Sequence, residues 1–428
     1  MGKLIDAKSA PSIGSELAIF DVPPTQVAYE DARWITVPTT TPVNDSGPYI
    51  FSVSDSRYFL NTGKCYVSFR LRLTSVPEKD IGKVAVCNYI GGAFFSQVKV
   101  ELNNVLIFDC PHYGYKAYLE ALLNSTSDQK KSIMQAAGYY EDDLGIDAAG
   151  NTGHKARLEL LKDGIIDVCA PLHIDQFNVD RYLLPHVNLQ ISLYRNSDPF
   201  VLVSHEAAPP QVATKILSMR LHMRAVDVVS SAGLSLERSL LSQPAKYPYR
   251  RTRVKMLSIP GGRHDVPFST IFTDTIPRKI IVGCLDQNAV NGAIGKSPFN
   301  FVHANISEIS IDASGRVYPS QPILTEFEAG HYAEAFVQFF ENLGCVGENR
   351  SLPISYAQYA KGFTLFAFNL TPSDVNSNFE LIRHGTTSIK IRFAKPTPSD
   401  GLQLLVYAEE DGLMMLDHFR NVFTDHQA

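Results

Sequence analysis

The sequence predicts an all-β fold with a few short helices: a tandem double jelly roll, two eight-stranded β-sandwiches in one chain of 428 residues. Three observations predict it. Apolar and polar residues alternate with period two in many separate runs, as expected of strands with one face buried. Two isolated stretches have helical spacing instead, at comparable places in the two halves. A strand-and-turn sequence recurs at an offset close to half the chain length, and a second strand recurs later in the same order.

Taken in order, residues 1–30 read as an N-terminal arm. From Lys64 to Leu73, residues Cys65, Val67, Phe69, Leu71 and Leu73 fall on one face, and Lys64, Tyr66, Ser68, Arg70 and Arg72 on the other. The same alternation returns at Val187 to Leu193, at Leu217, Met219, Leu221 and Met223, at Ile389 to Phe393, and at Leu402 to Ala408. Turns are expected at Asn196 to Pro199, at Gly261 and at Gly412. Tyr115, Tyr118, Leu119, Leu122 and Leu123 form one helical stripe; Tyr332, Phe336, Phe339, Phe340 and Leu343 form the other. The acidic, glycine-containing stretch Glu141 to Gly153 reads as an exposed loop.

Ser96-Gln-Val-Lys-Val-Glu-Leu-Asn-Asn104 aligns with Ser307-Glu-Ile-Ser-Ile-Asp-Ala-Ser-Gly315, and each is followed by its helical stretch. Leu189, Ile191 and Leu193 align with Ile389, Ile391 and Phe393. The first jelly roll is placed at 31–212 and the second at 213–428, joined by the proline-containing segment Glu206 to Ala213. Copies of about 200 residues are too long for immunoglobulin-like sandwiches. A parallel α/β fold would need a helix after nearly every strand.

Composition narrows the function. With 45% hydrophobic and 19% charged residues the chain reads as globular. Its 39 Lys and Arg against 44 Asp and Glu, net −5, give no overall field for DNA phosphates or an anionic membrane. No apolar run has the ~18 residues of a membrane span, and no leader is expected. Cys65, Cys87, Cys110, Cys169, Cys284 and Cys345 contain no Cys-x-x-Cys pair and read as buried small apolar residues.

The near-motifs for catalysis fail one by one. His205-Glu-Ala-Ala208 begins like a zinc-protease helix, but Pro209 stands at the second ligand position. Gly295-Lys296-Ser297 resembles the end of a P-loop whose opening glycine is replaced by Val290. No nucleophile elbow occurs. The carboxylates Glu141 to Asp143 and Glu409 to Asp411 read as solvated, and the basic run Arg250 to Lys255 as a subunit contact or solvated edge. No catalytic residue, cofactor or metal ligand is expected; the chain reads as a non-enzyme.

The segment Pro171-Leu-His-Ile-Asp-Gln-Phe-Asn-Val-Asp-Arg-Tyr-Leu-Leu184, which leads into a strand ending at Arg195, resembles a signature of Polinton/Maverick-type, adintovirus-like major capsid proteins. Lys246 to Arg251, Leu285 to Gly292, Ser297 to Phe301, Gly362 to Pro372 and Val406 to Asn421 resemble family segments in the same order, so the similarity runs from about Asp31 to the end. Pro185-His186 departs from the family's usual Asn-Gly. The resemblance implies a double jelly-roll subunit related to adenovirus hexon, forming pseudo-hexagonal trimeric capsomers of an icosahedral shell around a DNA genome. Implied partners are the chain itself, neighbouring capsomers, and penton and minor capsid proteins, with no sequence-specific nucleic acid and no membrane insertion. The implied location is the virion capsid, with synthesis in the host cytoplasm and assembly there or in the nucleus. His173, Asp175, Phe177, Arg181 and Tyr182 are the candidate structural or interface residues, with loop-pinning favoured over a subunit contact. Two alternatives stay open: a carbohydrate-binding or glycan-cleaving β-sandwich protein, and a host-domesticated element protein.

Overall fold

The computed structural model describes residues 6, 8–10, 12–54, 57–75, 78–143, 145–148, 150–161, 163–206, 208–346, 351–372 and 378–424. Part of the expected N-terminal arm and Ala207 therefore lie outside the described residues. The first half contains β1 (Tyr29–Pro38), β2 (Tyr49–Val53), β3 (Phe59–Ser75), β4 (Phe95–Leu102), β5 (Val105–Cys110), β6 (Ile165–Pro171), β7 (Leu189–Arg195) and β8 (Val212–Val228). The second contains β9 (Ala245–Ile259), β10 (Asp265–Phe272), β11 (Lys279–Asp286), β12 (Ile306–Ala313), β13 (Arg316–Leu324), β14 (Leu365–Asn369), β15 (Thr387–Phe393) and β16 (Leu402–Leu416).

The first half forms two four-stranded sheets, with strand orders β1-β8-β3-β6 and β2-β7-β4-β5. The second forms β9-β16-β11, with β14 on the far side of β11, and β10-β15-β12-β13. Each strand of the first half thus occupies the position of the strand eight further on, which is the double jelly roll. The aligned sequences sit at equivalent places. Asn103-Asn104 and Ser314-Gly315 both turn their hairpins with two consecutive positive φ angles, 48° and 64° against 54° and 84°. That is the type I′ geometry whose twist matches its flanking strands. His186, at the position where the resemblance expects a glycine-type turn, likewise adopts φ 59°.

Local sequence explains most of these elements. In β3, Cys65, Val67, Phe69, Leu71 and Leu73 are all at most 3% exposed, while Arg70 and Arg72 face outward. Burying each such large apolar side chain stabilises the fold by about 1.5–3 kcal/mol. One continuous cluster of buried side chains runs through both halves. The two predicted helices are α1 (Tyr113–Asn124) and, after α2 (Thr152–Leu160) and α3 (Ser230–Leu240), α4 (Ala333–Leu343). No helix among the described residues is long and apolar enough to cross a membrane.

Several expectations need correction. Strand β8 begins at Val212 yet pairs with β1 and β3, so the chain leaves the first jelly roll after Val228 and not at 212. Its register slips between Ile216 and Ser218, which buries Ile216 and turns Leu217 outward. Gly412 lies inside β16 opposite Tyr249 and makes no turn. Glu141 to Gly153 is not simply exposed: Asp142 is 2% exposed and bound to Arg157 at 3.0 Å. Cys169 is exposed, because it falls on the outward side of β6.

Candidate functional site

Helix α1 lies where the two jelly rolls meet, and this explains why almost every residue of it is buried, Lys116 included. Tyr118 stacks on Phe299 of the second half with ring centroids 4.1 Å apart, and Tyr115 meets the same ring edge-on at 5.6 Å. Arg and Lys side chains seldom reach such positions without partners. The Lys116 ammonium pairs with Glu120 one turn on, with Asp175 at 3.0 Å, and with the His173 carbonyl at 3.0 Å.

His173, Asp175 and Phe177 therefore come together at this seam. The Glu120 carboxylate accepts from His173 Nδ1 at 2.9 Å, and His173 Nε2 hydrogen-bonds with the Tyr89 hydroxyl at 2.6 Å. Asp175 takes the Thr252 backbone N–H at 2.7 Å and its hydroxyl at 2.9 Å, and the Tyr407 hydroxyl donates to Glu120 at 3.3 Å. All three bonds cross from one jelly roll to the other. Phe177 is buried beside them. Arg181 and Tyr182 stand apart from this cluster but touch the same neighbour: Arg181 Nη1 donates to the Lys246 carbonyl, and the Tyr247 hydroxyl donates to the Tyr182 carbonyl at 3.1 Å.

The electrostatics follow from burial. Burial pushes the Glu120 carboxyl up, but Lys116 and His173 together outweigh it and hold the group at about 2. Burial raises Asp175 despite Lys116, and it raises Glu409, which faces the same space beside Lys279. A cavity of about 620 Å³ remains between the halves, lined by Glu120, His173 and Asp175 on one side and Thr252, Tyr407 and Glu409 on the other.

Lys116, Glu120, Thr252 and Tyr407 are absent from the sequence-based candidates. One local signal existed: Lys116 and Glu120 are charges four residues apart on a helix whose other faces are apolar. The two acidic clusters also have partners. In β16, Glu410 is 8% exposed and pairs with Arg253, which also binds Asp274 at 2.8 Å; Asp411 pairs with Arg250 and Arg278. The arginines of the basic run are thereby paired within the chain, and Lys255 Nζ donates to the Ile271 carbonyl at 2.6 Å. Lys296 of the P-loop-like sequence binds Asp286 at 2.6 Å, and the Ser297 N–H donates to Asp147 across the seam at 2.7 Å. His205 rests against His154 with ring centroids 4.1 Å apart. No group of three or more metal-binding side chains occurs among the described residues.

No protein-family model matches the chain. The uncharacterized protein F54H12.2 of Caenorhabditis elegans is 30% identical over 421 residues, covering 94% of this chain and 99% of its own length. Among solved structures, a chain of the Sputnik virophage superposes with a TM-score of 0.64 at 12% identity, covering 99% of this chain and 94% of that one. The Faustovirus major capsid protein gives 0.63 at 9% identity, over 95% of this chain and 93% of its own. The mavirus major capsid protein gives 0.56 at 10% identity, over 99% and 96%.

Proposed function

Because the chain belongs to the family of F54H12.2 and carries a double jelly-roll fold, we propose that it is a Polinton/Maverick-type major capsid protein. Three copies form a capsomer whose six jelly rolls approximate a hexagon, and such capsomers tile an icosahedral shell around DNA. The observation that carries this reading is the strand-for-strand repeat: two equivalent jelly rolls joined rigidly make three chains look nearly sixfold. The seam supports it, since a capsomer needs the two halves of each subunit held in one orientation. The segment His173 to Tyr182 clamps the first jelly roll to β9, a structural role with no catalytic component. Penton and minor capsid proteins are the expected further partners, and the virion is the expected location.

The test is to express the full chain and measure its mass by sedimentation while imaging it by electron microscopy. Trimers and hexagonal capsomers are expected. A monomer at assembly concentrations overturns the reading. A saccharide screen addresses the glycan alternative, and neither binding nor turnover is expected.

A further inference from the structure

The chain contains one completed contact between jelly rolls and the two unused halves of another. Within the chain, α1, which follows the hairpin β4–β5, sits against the face of the sheet containing β9, β16 and β11 that is turned away from the second core. Thr252 of β9 and Tyr407 of β16 receive the first half there. In the repeat, α4 follows the equivalent hairpin β12–β13, and the equivalent sheet face belongs to β1-β8-β3-β6. Among the described residues, nothing covers the outward side of either. On α4, Ala335, Phe339 and Phe340 face inward, whereas Glu334, Val337 and Glu341 are exposed, with Val337 53% exposed.

The two uncovered surfaces have opposite charge. On α4 the charged residues are Glu334 and Glu341, both exposed; of the two glutamates before it, Glu326 meets His331 at 3.0 Å and Glu328 pairs with Lys395 at 2.5 Å. The outward face of β1-β8-β3-β6 presents Arg70, Arg72, Lys215 and Arg220, all exposed, with Arg224 partly so. Register sets these in adjacent rows: Lys215 opposite Arg72, Arg220 opposite Ser68, and Ser218 opposite Arg70. Asp167 pairs with Arg70 at 3.5 Å among them, and Trp34, 54% exposed, adds an aromatic surface at the end of the face near Arg224. Five of the chain's 39 Lys and Arg thus lie together on this one face.

We infer that the acidic outer edge of α4 in one copy docks on the basic face of β1-β8-β3-β6 in the next copy. The seam within each chain is then repeated between chains. This inference rests on the capsid reading and specifies which surfaces build the capsomer. A head-to-tail contact of this kind closes into a ring when its rotation permits, and the internal repeat supplies that rotation. Charge complementarity sets the register and excludes face-to-face pairing of like surfaces.

The test is sedimentation of the full chain across a salt series, with three variants: Arg70→Glu/Arg72→Glu/Arg220→Glu, Glu334→Arg/Glu341→Arg, and their combination. All five positions are exposed, and thermal melting checks that each variant folds. Either reversal should weaken association on the order of tenfold or more, and the combination should restore much of it. Wild-type association should also weaken as salt rises. Trimers indifferent to salt and to both reversals overturn the docking inference while leaving the capsid reading intact. A wild type that stays monomeric overturns both. Salt-sensitive binding of a single-stranded oligonucleotide, lost on reversal of the basic face while trimers persist, assigns that face to nucleic acid and also overturns the inference. Should a reversal fail to fold, the wild-type salt series still decides.

Discussion

The carboxylate of Asp175 accepts both the backbone N–H and the hydroxyl of Thr252, at 2.7 and 2.9 Å, so a side chain of the first jelly roll terminates donors of the second. The same carboxylate neutralises the buried Lys116. Asp175→Ala should lower the unfolding free energy by about 3–5 kcal/mol, because it leaves a buried ammonium short of a counter-charge. Asp175→Asn, which keeps an acceptor for Thr252, should cost less. Chemical denaturation at neutral pH measures both.

Two groups make stability depend on acid in the same direction. Burial, with help from His205 and Arg157, lowers His154 from 6.5 to about 4; Lys116 and His173, overcoming burial, lower Glu120 from 4.5 to about 2. In each case the unfolded chain binds the proton more tightly, so the contribution is complete above the ordinary value and lost as pH falls. Relative to His154→Gln, the wild type should lose stability between pH 6.5 and 4. Relative to Glu120→Gln, it should lose stability between pH 4.5 and 2. Paired thermal melts over that range isolate each group from the rest of the protein's titration.

The Tyr118–Phe299 stack separates apolar from polar contributions. Phe299→Ala should cost about 3–5 kcal/mol by opening a cavity at the seam. Tyr118→Phe should be nearly neutral, since the buried Tyr118 hydroxyl has no hydrogen-bond partner among the described residues. A loss above about 1 kcal/mol in Tyr118→Phe, read from thermal unfolding, would contradict this account.

Gly412 is held to glycine by close approach. A Cβ there would lie 2.7 Å from the Tyr249 ring across the strand pair. Gly412→Ala should therefore destabilise by about 1–3 kcal/mol through overpacking, again measurable by thermal unfolding.

Glycine at 412 also shows where sequence reading stops. Period two was legible in β3 and β15 because one face of each is buried and the other is not. In β16 the run from Leu402 to Ala408 was legible too, but Asp411-Gly412 has the residue types of a turn, and only the pairing of Gly412 with Tyr249 shows that the strand runs on to Leu416. At Leu217 the pattern misleads for a different reason, a register slip inside a long strand. The candidate segment was legible as a motif from His173 to Tyr182. Its partners were not, because Asp175 to Thr252 and Glu120 to Tyr407 are contacts between distant parts of the chain. No local periodicity encodes such pairs.

The order in which the strands are synthesised has a consequence of its own. Strand β8 is the last of the first jelly roll to emerge from the ribosome, yet it lies between β1 and β3, and β16 stands in the same relation to β9 and β11. A nascent chain carries β1 with its pairing edge open until Val228 is available, a span of non-local closure that slows folding and exposes the edge to wrong partners. A fragment ended at residue 212 would lack the strand that joins β1 to β3 and should aggregate. One ended after Val228 keeps the complete sheet.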